Sequence, residues 1–192
     1  GRAGGRKLIV YPNPGYPVYR SGTLFAGGTP YPVTLDPTNN FLLEPWKLPQ
    51  WVQKDAAAVW VNYPHNPTGT MAPRSYWEQL IAWGQETNTL ILSDDCYIDI
   101  YAPDTAEEDI PLNPLQISTQ GVLSFMSLSK RSGLTGYRSG MIAGDPELID
   151  GLARARANFG VATPHFIQAA ATVAWSDDEH VAERRQLFAE RM

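Results

Sequence analysis

The sequence predicts an α/β protein built on a mostly parallel sheet, and three observations carry that prediction. Short apolar runs rich in β-branched residues recur along the chain, each followed at once by a polar turn bearing Pro or Gly. Segments with helical spacing lie between them. Several runs are apolar at consecutive rather than alternating positions, as strands covered on both faces are.

Leu8-Ile9-Val10-Tyr11 reads as the first strand and Tyr31 to Leu35 as the second. Ala57 to Asn62, Thr89 to Leu92 and Val122 to Met126 follow as the third to fifth, and these three carry the consecutive apolar positions. A weaker sixth spans Tyr137 to Ala143. Between the third and fourth, Pro73 to Glu86 sets Trp77, Leu80, Ile81 and Trp83 on one helical face, so both tryptophans read as core, and Pro73 suits a first turn. Pro146 to Asn158 opens after Asp145, a suitable N-cap, and Ser176-Asp177-Asp178-Glu179 starts another helix expected to run to the last residue. In sheets of this kind ligands lie at the carboxyl ends of the strands, so the chemistry is to be sought just after each apolar run.

Composition narrows the class. A chain of 192 residues makes one large domain, or one domain with part of a second. With 43% apolar and 18% charged residues it is neither disordered nor collagen-like. The longest apolar runs are strand-length, which argues against a membrane span, and the opening residues do not resemble a signal peptide. A single cysteine, Cys96, points to the reducing cytoplasm. A net charge of −5 without any basic run argues against nucleic acid as a partner.

The strand ends are chemically specific. The third run leads into Asn62-Tyr63-Pro64-His65-Asn66-Pro67-Thr68-Gly69, the fourth into Ser93-Asp94-Asp95-Cys96-Tyr97, and the fifth into Ser127-Leu128-Ser129-Lys130. Of the four lysines, Lys7, Lys47 and Lys54 sit in polar or turn-like surroundings. Lys130 follows a buried strand, where desolvation lowers an amine's pKa and makes it a nucleophile.

Asn66-Pro67-Thr68-Gly69, Asp94 with Tyr97, and Ser127-Leu128-Ser129-Lys130 with Arg138-Ser139-Gly140 together resemble the signature set of class I/II aminotransferases, the pyridoxal-phosphate enzymes of the aspartate aminotransferase fold. Order matches, and so do the intervals: 28 residues from Asn66 to Asp94, 36 on to Lys130 and 8 on to Arg138. Each motif alone is weak; in order, at successive strand ends, they are specific. The resemblance implies a three-layer α/β/α sandwich, the large cofactor-binding domain of such enzymes.

It also implies roles. Lys130 would carry pyridoxal 5'-phosphate through a Schiff base and, once released, shuttle the substrate proton. Asp94 would keep the ring nitrogen protonated, and Tyr97 and Asn66 would bond the ring's phenolate oxygen. Ser127, Ser129 and Arg138 would hold the phosphate. Tyr16, in Pro14-Gly15-Tyr16-Pro17, is the candidate to lie flat on the ring.

Taken alone, Asp94 reads as a helix N-cap, Tyr97 as a half-buried tyrosine and Arg138 as a surface cation; the company of Lys130 tips all three to function. Asp95 is the poorer partner for the ring nitrogen. His65 reads as a turn histidine facing solvent or a subunit interface, and Cys96 as an inert packed thiol with no neighbouring lysine or histidine to activate it. Arg131 stays unassigned, surface or structural.

The resemblance covers nearly all of the chain, yet the chain covers about half of such an enzyme. Residues 1–175 correspond to the large domain without its first strand and Gly-rich phosphate loop, and residues 176–192 to the start of a helix leading to a small domain that would bring the substrate-carboxylate arginine. Gly1-Arg2-Ala3-Gly4-Gly5-Arg6 reads as a tail, not as that loop. An uncovered sheet edge and lost helices predict association, weak cofactor binding and poor transamination by this chain alone. A homodimer of the full-length protein, with amino acid and 2-oxo acid substrates, is implied by the family. The Ser127 to Arg138 segment, Ala143-Gly144-Asp145-Pro146 and Val59-Trp60-Val61-Asn62-Tyr63-Pro64 look most like succinyldiaminopimelate aminotransferases of lysine biosynthesis. A lyase or decarboxylase of the same fold, and a non-enzymatic sensor domain of a transcription regulator, stay open at this point.

Overall fold

The computed structural model describes residues 5–159 and 162–191. Most of the Gly-rich opening and Met192 therefore lie outside the described residues. Six strands form one sheet: β1 (Leu8–Asn13), β2 (Thr29–Thr34), β3 (Ala56–Val61), β4 (Leu90–Asp94), β5 (Val122–Ser127) and β6 (Gly140–Gly144), in the order β2-β1-β3-β4-β5-β6. All neighbours run parallel except β6, which is antiparallel to β5. The mostly parallel α/β sheet read from the sequence is thus what the chain forms.

Seven helices accompany it among the described residues: α1 (Val18–Phe25), α2 (Gln50–Asp55), α3 (Arg74–Thr87), α4 (Leu128–Arg131), α5 (Pro146–Arg156), α6 (His165–Ser176) and α7 (Glu179–Ala189). One core joins Val10, Val59, Val61, Ile91 and Val122 of the sheet to Tyr76, Trp77, Leu80 and Ile81 of α3. Trp77 is 1% exposed, as its place on the apolar face of α3 requires. On the other face of the sheet, Trp60 stacks on Tyr19 of α1 at 5.0 Å and leans on Phe125 at 4.9 Å. Helices α1 and α3 therefore cover opposite faces of β3.

Local chemistry explains the boundaries. Pro30 and Pro32 lack amide donors, so β2 can pair on one side only, and it forms the edge of the sheet beside β1. Asp145 caps α5, accepting from the amides of Glu147 and Leu148, with Pro146 at the first helical position. Helix α3 ends at Asn88 in the left-handed conformation.

Two expectations need correction. The sixth strand begins at Gly140, not Tyr137, because residues 135–137 form a helical turn that Arg138 closes at φ 53°. The last helix does not begin at Ser176: α6 ends there, Asp177 turns the chain, and α7 begins at Glu179 with Asp177 Oδ1 accepting its amide.

Candidate active site

Strands β3, β4 and β5 are neighbours, so their carboxyl ends open onto one place. A cavity of about 320 Å³ lies there, and its walls include Tyr16, Asn66, Asp94, Tyr97, Ser127, Ser129, Lys130 and Arg138. All eight residues singled out in the sequence meet at this one cavity; Asn62, Cys96 and Thr135 complete the lining. A wider cleft of about 520 Å³ adjoins it, shares Ser127, Ser129 and Arg138, and continues between β6 and α5.

Asp94 ends β4. Its Oδ2 accepts a 2.7 Å hydrogen bond from the Tyr19 hydroxyl, and its Oδ1 lies 3.3 Å from the Cys96 amide. Tyr19 is 2% exposed, and burial, followed by the Asp94 charge, pushes its hydroxyl far above the ordinary phenol range. The phenol stays protonated and donates, which fixes the orientation of the carboxylate.

Asn62, at the end of β3, is a second fastening. Its Nδ2 donates to the Asp94 carbonyl at 2.6 Å, and its Oδ1 accepts from the Asn66 amide at 2.9 Å. The Asn66 side chain in turn reaches towards the Tyr97 hydroxyl at 3.4 Å. Neither Tyr19 nor Asn62 was identified as a site residue from the sequence. The available signals were a tyrosine three residues past Tyr16 and a polar residue closing an apolar run.

Lys130 stands on the four-residue helix α4 with its Nζ 5.6 Å from the centre of the Tyr97 ring. The desolvated setting expected for it is not found. Lys130 is exposed, standing on the short helix α4 that starts where β5 leaves the sheet, and it lines the cavity. It remains within the same wall as Asn66, Asp94 and Arg138. Ser127 caps α4, its Oγ accepting from the Ser129 amide at 3.1 Å, which leaves the hydroxyl hydrogen for another acceptor. Arg138 is exposed and held by its Nη1 to the Thr135 carbonyl at 3.1 Å. Its left-handed backbone costs about 1–2 kcal/mol in an ordinary residue, a strain that this turn sustains.

Two further expectations change. His65 does not face solvent: it is 3% exposed, its Nδ1 is 2.8 Å from Thr68 Oγ1, and burial lowers its pKa. It closes the Asn66 turn from inside. Cys96 does have Lys130 near enough to favour its thiolate, contrary to the reading of an isolated thiol. Burial and the Asp94 charge still push the thiol up, which disfavours the nucleophilic thiolate. Asp95 lies off the cavity, 1% exposed, bonded to Ser93, Ser124 and Asn113. Arg131, unassigned in the sequence, is a partly buried residue that pairs with Asp99.

The donor set fits pyridoxal phosphate. A carboxylate suits a protonated ring nitrogen, an amide with a phenol suits the ring hydroxyl, and a primary amine suits the aldehyde. Two hydroxyls and a guanidinium suit the phosphate, and Tyr16, 48% exposed, offers an aromatic surface beside them.

Comparison with known proteins identifies the family. Residues 2–192 match the family described as aminotransferase class I and II. The LL-diaminopimelate aminotransferase of Aquifex aeolicus is 38% identical over 187 residues, 96% of this chain and 47% of its own length. LL-diaminopimelate aminotransferase 2 of Trichormus variabilis is 38% identical over 179 residues, 92% of this chain and 44% of its own. The crystal structure of an aminotransferase from Neisseria meningitidis superposes with a TM-score of 0.88 at 33% identity, covering 99% of this chain and 49% of that one. The chain thus spans about half the length of the curated relatives it matches. By sequence, fold and the residues gathered at its strand ends, the chain belongs to the class I and II aminotransferases, a family that works with pyridoxal phosphate.

Proposed function

We propose that this chain is the cofactor-binding part of a transaminase that moves an amino group between an amino acid and a 2-oxo acid. The observation that carries the proposal is the meeting of Lys130, Asp94, Tyr97, Asn66 and Arg138 at one cavity from segments far apart in sequence. Residues 1–175 are the cofactor-binding domain, and residues 176–192 lead towards a second one.

When bound, pyridoxal phosphate supplies an electron-withdrawing ring that stabilises the negative charge left on a substrate carbon after its proton is removed. The side chains supply the rest. Lys130 would attach the cofactor through Nζ and, when free, would take up the proton of the substrate carbon on that nitrogen. Asp94, oriented by Tyr19, would hold a positive charge on the ring nitrogen. Tyr97 and Asn66 would hold the ring hydroxyl, Ser127, Ser129 and Arg138 would hold the phosphate, and Tyr16 would offer its aromatic face to the ring.

The names of the relatives support diaminopimelate chemistry in lysine biosynthesis as the setting. Whether the free or the succinylated diamino acid is the donor is decided by ping-pong kinetics with each and 2-oxoglutarate, which also separates a transaminase from a lyase. The full-length protein is proposed to be a cytoplasmic homodimer; among the described residues no helix is long and apolar enough to cross a membrane.

The test is an absorption spectrum with added pyridoxal phosphate on this chain and on Lys130→Ala. A visible band is expected that disappears with the substitution. A band that persists in Lys130→Ala would overturn the assignment of the attachment site.

A further inference from the structure

Lys130 makes no hydrogen bond or ion pair among the described residues; its amine lies over the Tyr97 ring. An amine that must react has to stay free, so its position must come from the main chain that carries it. That main chain is short. Helix α4 has four residues, anchored at one end by Leu128, 0% exposed, and at the other by Arg131.

Arg131 is where the structure invests. Its side chain is 10% exposed, and its Nη1 pairs with Asp99 Oδ2 at 3.1 Å. Nη2 reaches Asp178, and the guanidinium lies 5.5 Å from the centre of the Trp175 ring. Asp99 is itself held from a third direction. Arg185 of α7 donates through Nε to the Asp99 carbonyl at 2.9 Å, approaches Oδ1 at 3.5 Å and packs on Tyr101 at 4.0 Å.

Lys130 faces Tyr97, and Arg131, the next residue, binds Asp99, two residues beyond Tyr97. The same two segments are joined twice, once by the reactive amine over the phenol and once by a largely buried ion pair. We propose that the Arg131–Asp99 pair sets Lys130 against Tyr97, so that both are positioning residues of the active site. The proposal rests on Lys130 being the cofactor-bearing amine. A lysine at 131 would keep the charge but not the fork that spans Asp99 and Asp178 at once.

The test reads the position of Lys130 directly, without cofactor. With Nζ 5.6 Å from the centre of the Tyr97 ring, the adjoining ε-methylene protons of Lys130 are expected upfield in the NMR spectrum of the 192-residue chain, a displacement that Tyr97→Leu abolishes. Arg131→Met and Asp99→Asn are each expected to lose most of it, Arg131→Lys part of it, and the double variant no more than either single one. The dissociation constant for pyridoxal phosphate should rise about tenfold in Arg131→Met, equivalent to ~1.4 kcal/mol. Asp150→Asn, which breaks the exposed pair with Arg154, should change neither.

An unshifted Lys130 signal in the unmodified chain would overturn the proposal. So would a signal that stays in place in Asp99→Asn and Arg131→Lys while only the melting temperature falls. If Arg131→Met does not fold, those two variants decide. Loss of the brace alone leaves a Lys130-dependent visible band, whereas a band indifferent to Lys130→Ala would sink the functional assignment instead.

Discussion

Asn62 is the residue on which the geometry of the cavity turns, although it carries no chemistry of its own. It is 2% exposed and binds the Asp94 carbonyl and the Asn66 amide at once, so it ties the ends of β3 and β4 together beneath the site. Asn62→Ala strands both main-chain groups in a buried place, at ~1–3 kcal/mol for each unsatisfied partner. The expected result is a chain that unfolds at lower denaturant and binds pyridoxal phosphate at least tenfold more weakly, measured by urea titration and by absorbance. Asn62→Asp should rescue neither, because a carboxylate cannot donate to the Asp94 carbonyl. Tyr19→Phe tests the other fastening. It keeps the stack on Trp60 but removes the hydrogen bond to Asp94. Cofactor affinity should fall severalfold and more steeply than stability, since the ring remains packed; equal losses would mean that Tyr19 serves only the core. Asp94 and Lys130 were legible in the sequence because they close apolar runs at fixed intervals. Tyr19 and Asn62 were not, because Asp94, the partner they share, lies 75 and 32 residues away and meets them only through the crossovers.

At the scale of elements, the segment from α4 to β6 shows what short pieces need in order to hold their shape. Gly133 lies in it at φ 68°, and a Cβ there would come 2.7 Å from Arg184 Nη1. Gly133→Ala therefore meets two penalties, ~1–2 kcal/mol for a left-handed backbone and the displacement of the α7 guanidinium that packs on the turn. A melting temperature lowered by several degrees is expected, together with weaker phosphate binding, because Ser129 and Arg138 flank this turn; calorimetry and phosphate competition against the cofactor measure the two. The strands of the sheet were legible from consecutive apolar positions, and α3 from its Trp77-Leu80-Ile81 face. Helices α1 and α6 escape such a reading for physical reasons. Helix α1 is eight residues with Gly22 inside it, and α6 carries no Asp, Glu, Lys or Arg, only His165, Gln168, Thr172 and Ser176 marking a polar side, while Phe166 and Val173 are 72% and 68% exposed. The early start expected for β6 fails similarly, since Tyr137 is β-favouring by type but belongs to a helical turn that a left-handed Arg138 ends.

For the molecule as a whole, the buried acid beside the site sets a pH dependence that its acidic surface does not. Asp95 is 1% exposed between β4 and β5, and burial, only partly offset by hydrogen bonds from Ser124 and Ser93, raises its carboxyl to about 7, the neighbouring Asp94 charge adding to the rise. The unfolded chain gives up this proton near the ordinary carboxylate value, whereas the folded chain keeps it to about 7. Folding therefore takes up a proton between those limits, and stability from this group falls as pH rises through the window and levels off above it. A rise of that size corresponds to about 4 kcal/mol as an upper bound, enough to matter against the total stability of an ordinary domain. Exposed Asp36 and Asp177, whose hydrogen bonds lower their pKa values, act in the opposite sense and at lower pH, so the two windows separate. Asp95→Asn keeps an acceptor and donors for the same partners but cannot ionise. Its unfolding free energy should exceed that of the unmodified chain at pH 8 and lose that advantage at pH 5, measured by urea unfolding at both. Curves that stay parallel between the two pH values would show that Asp95 is ionised throughout in the folded protein, and that the polar contacts around it outweigh its burial.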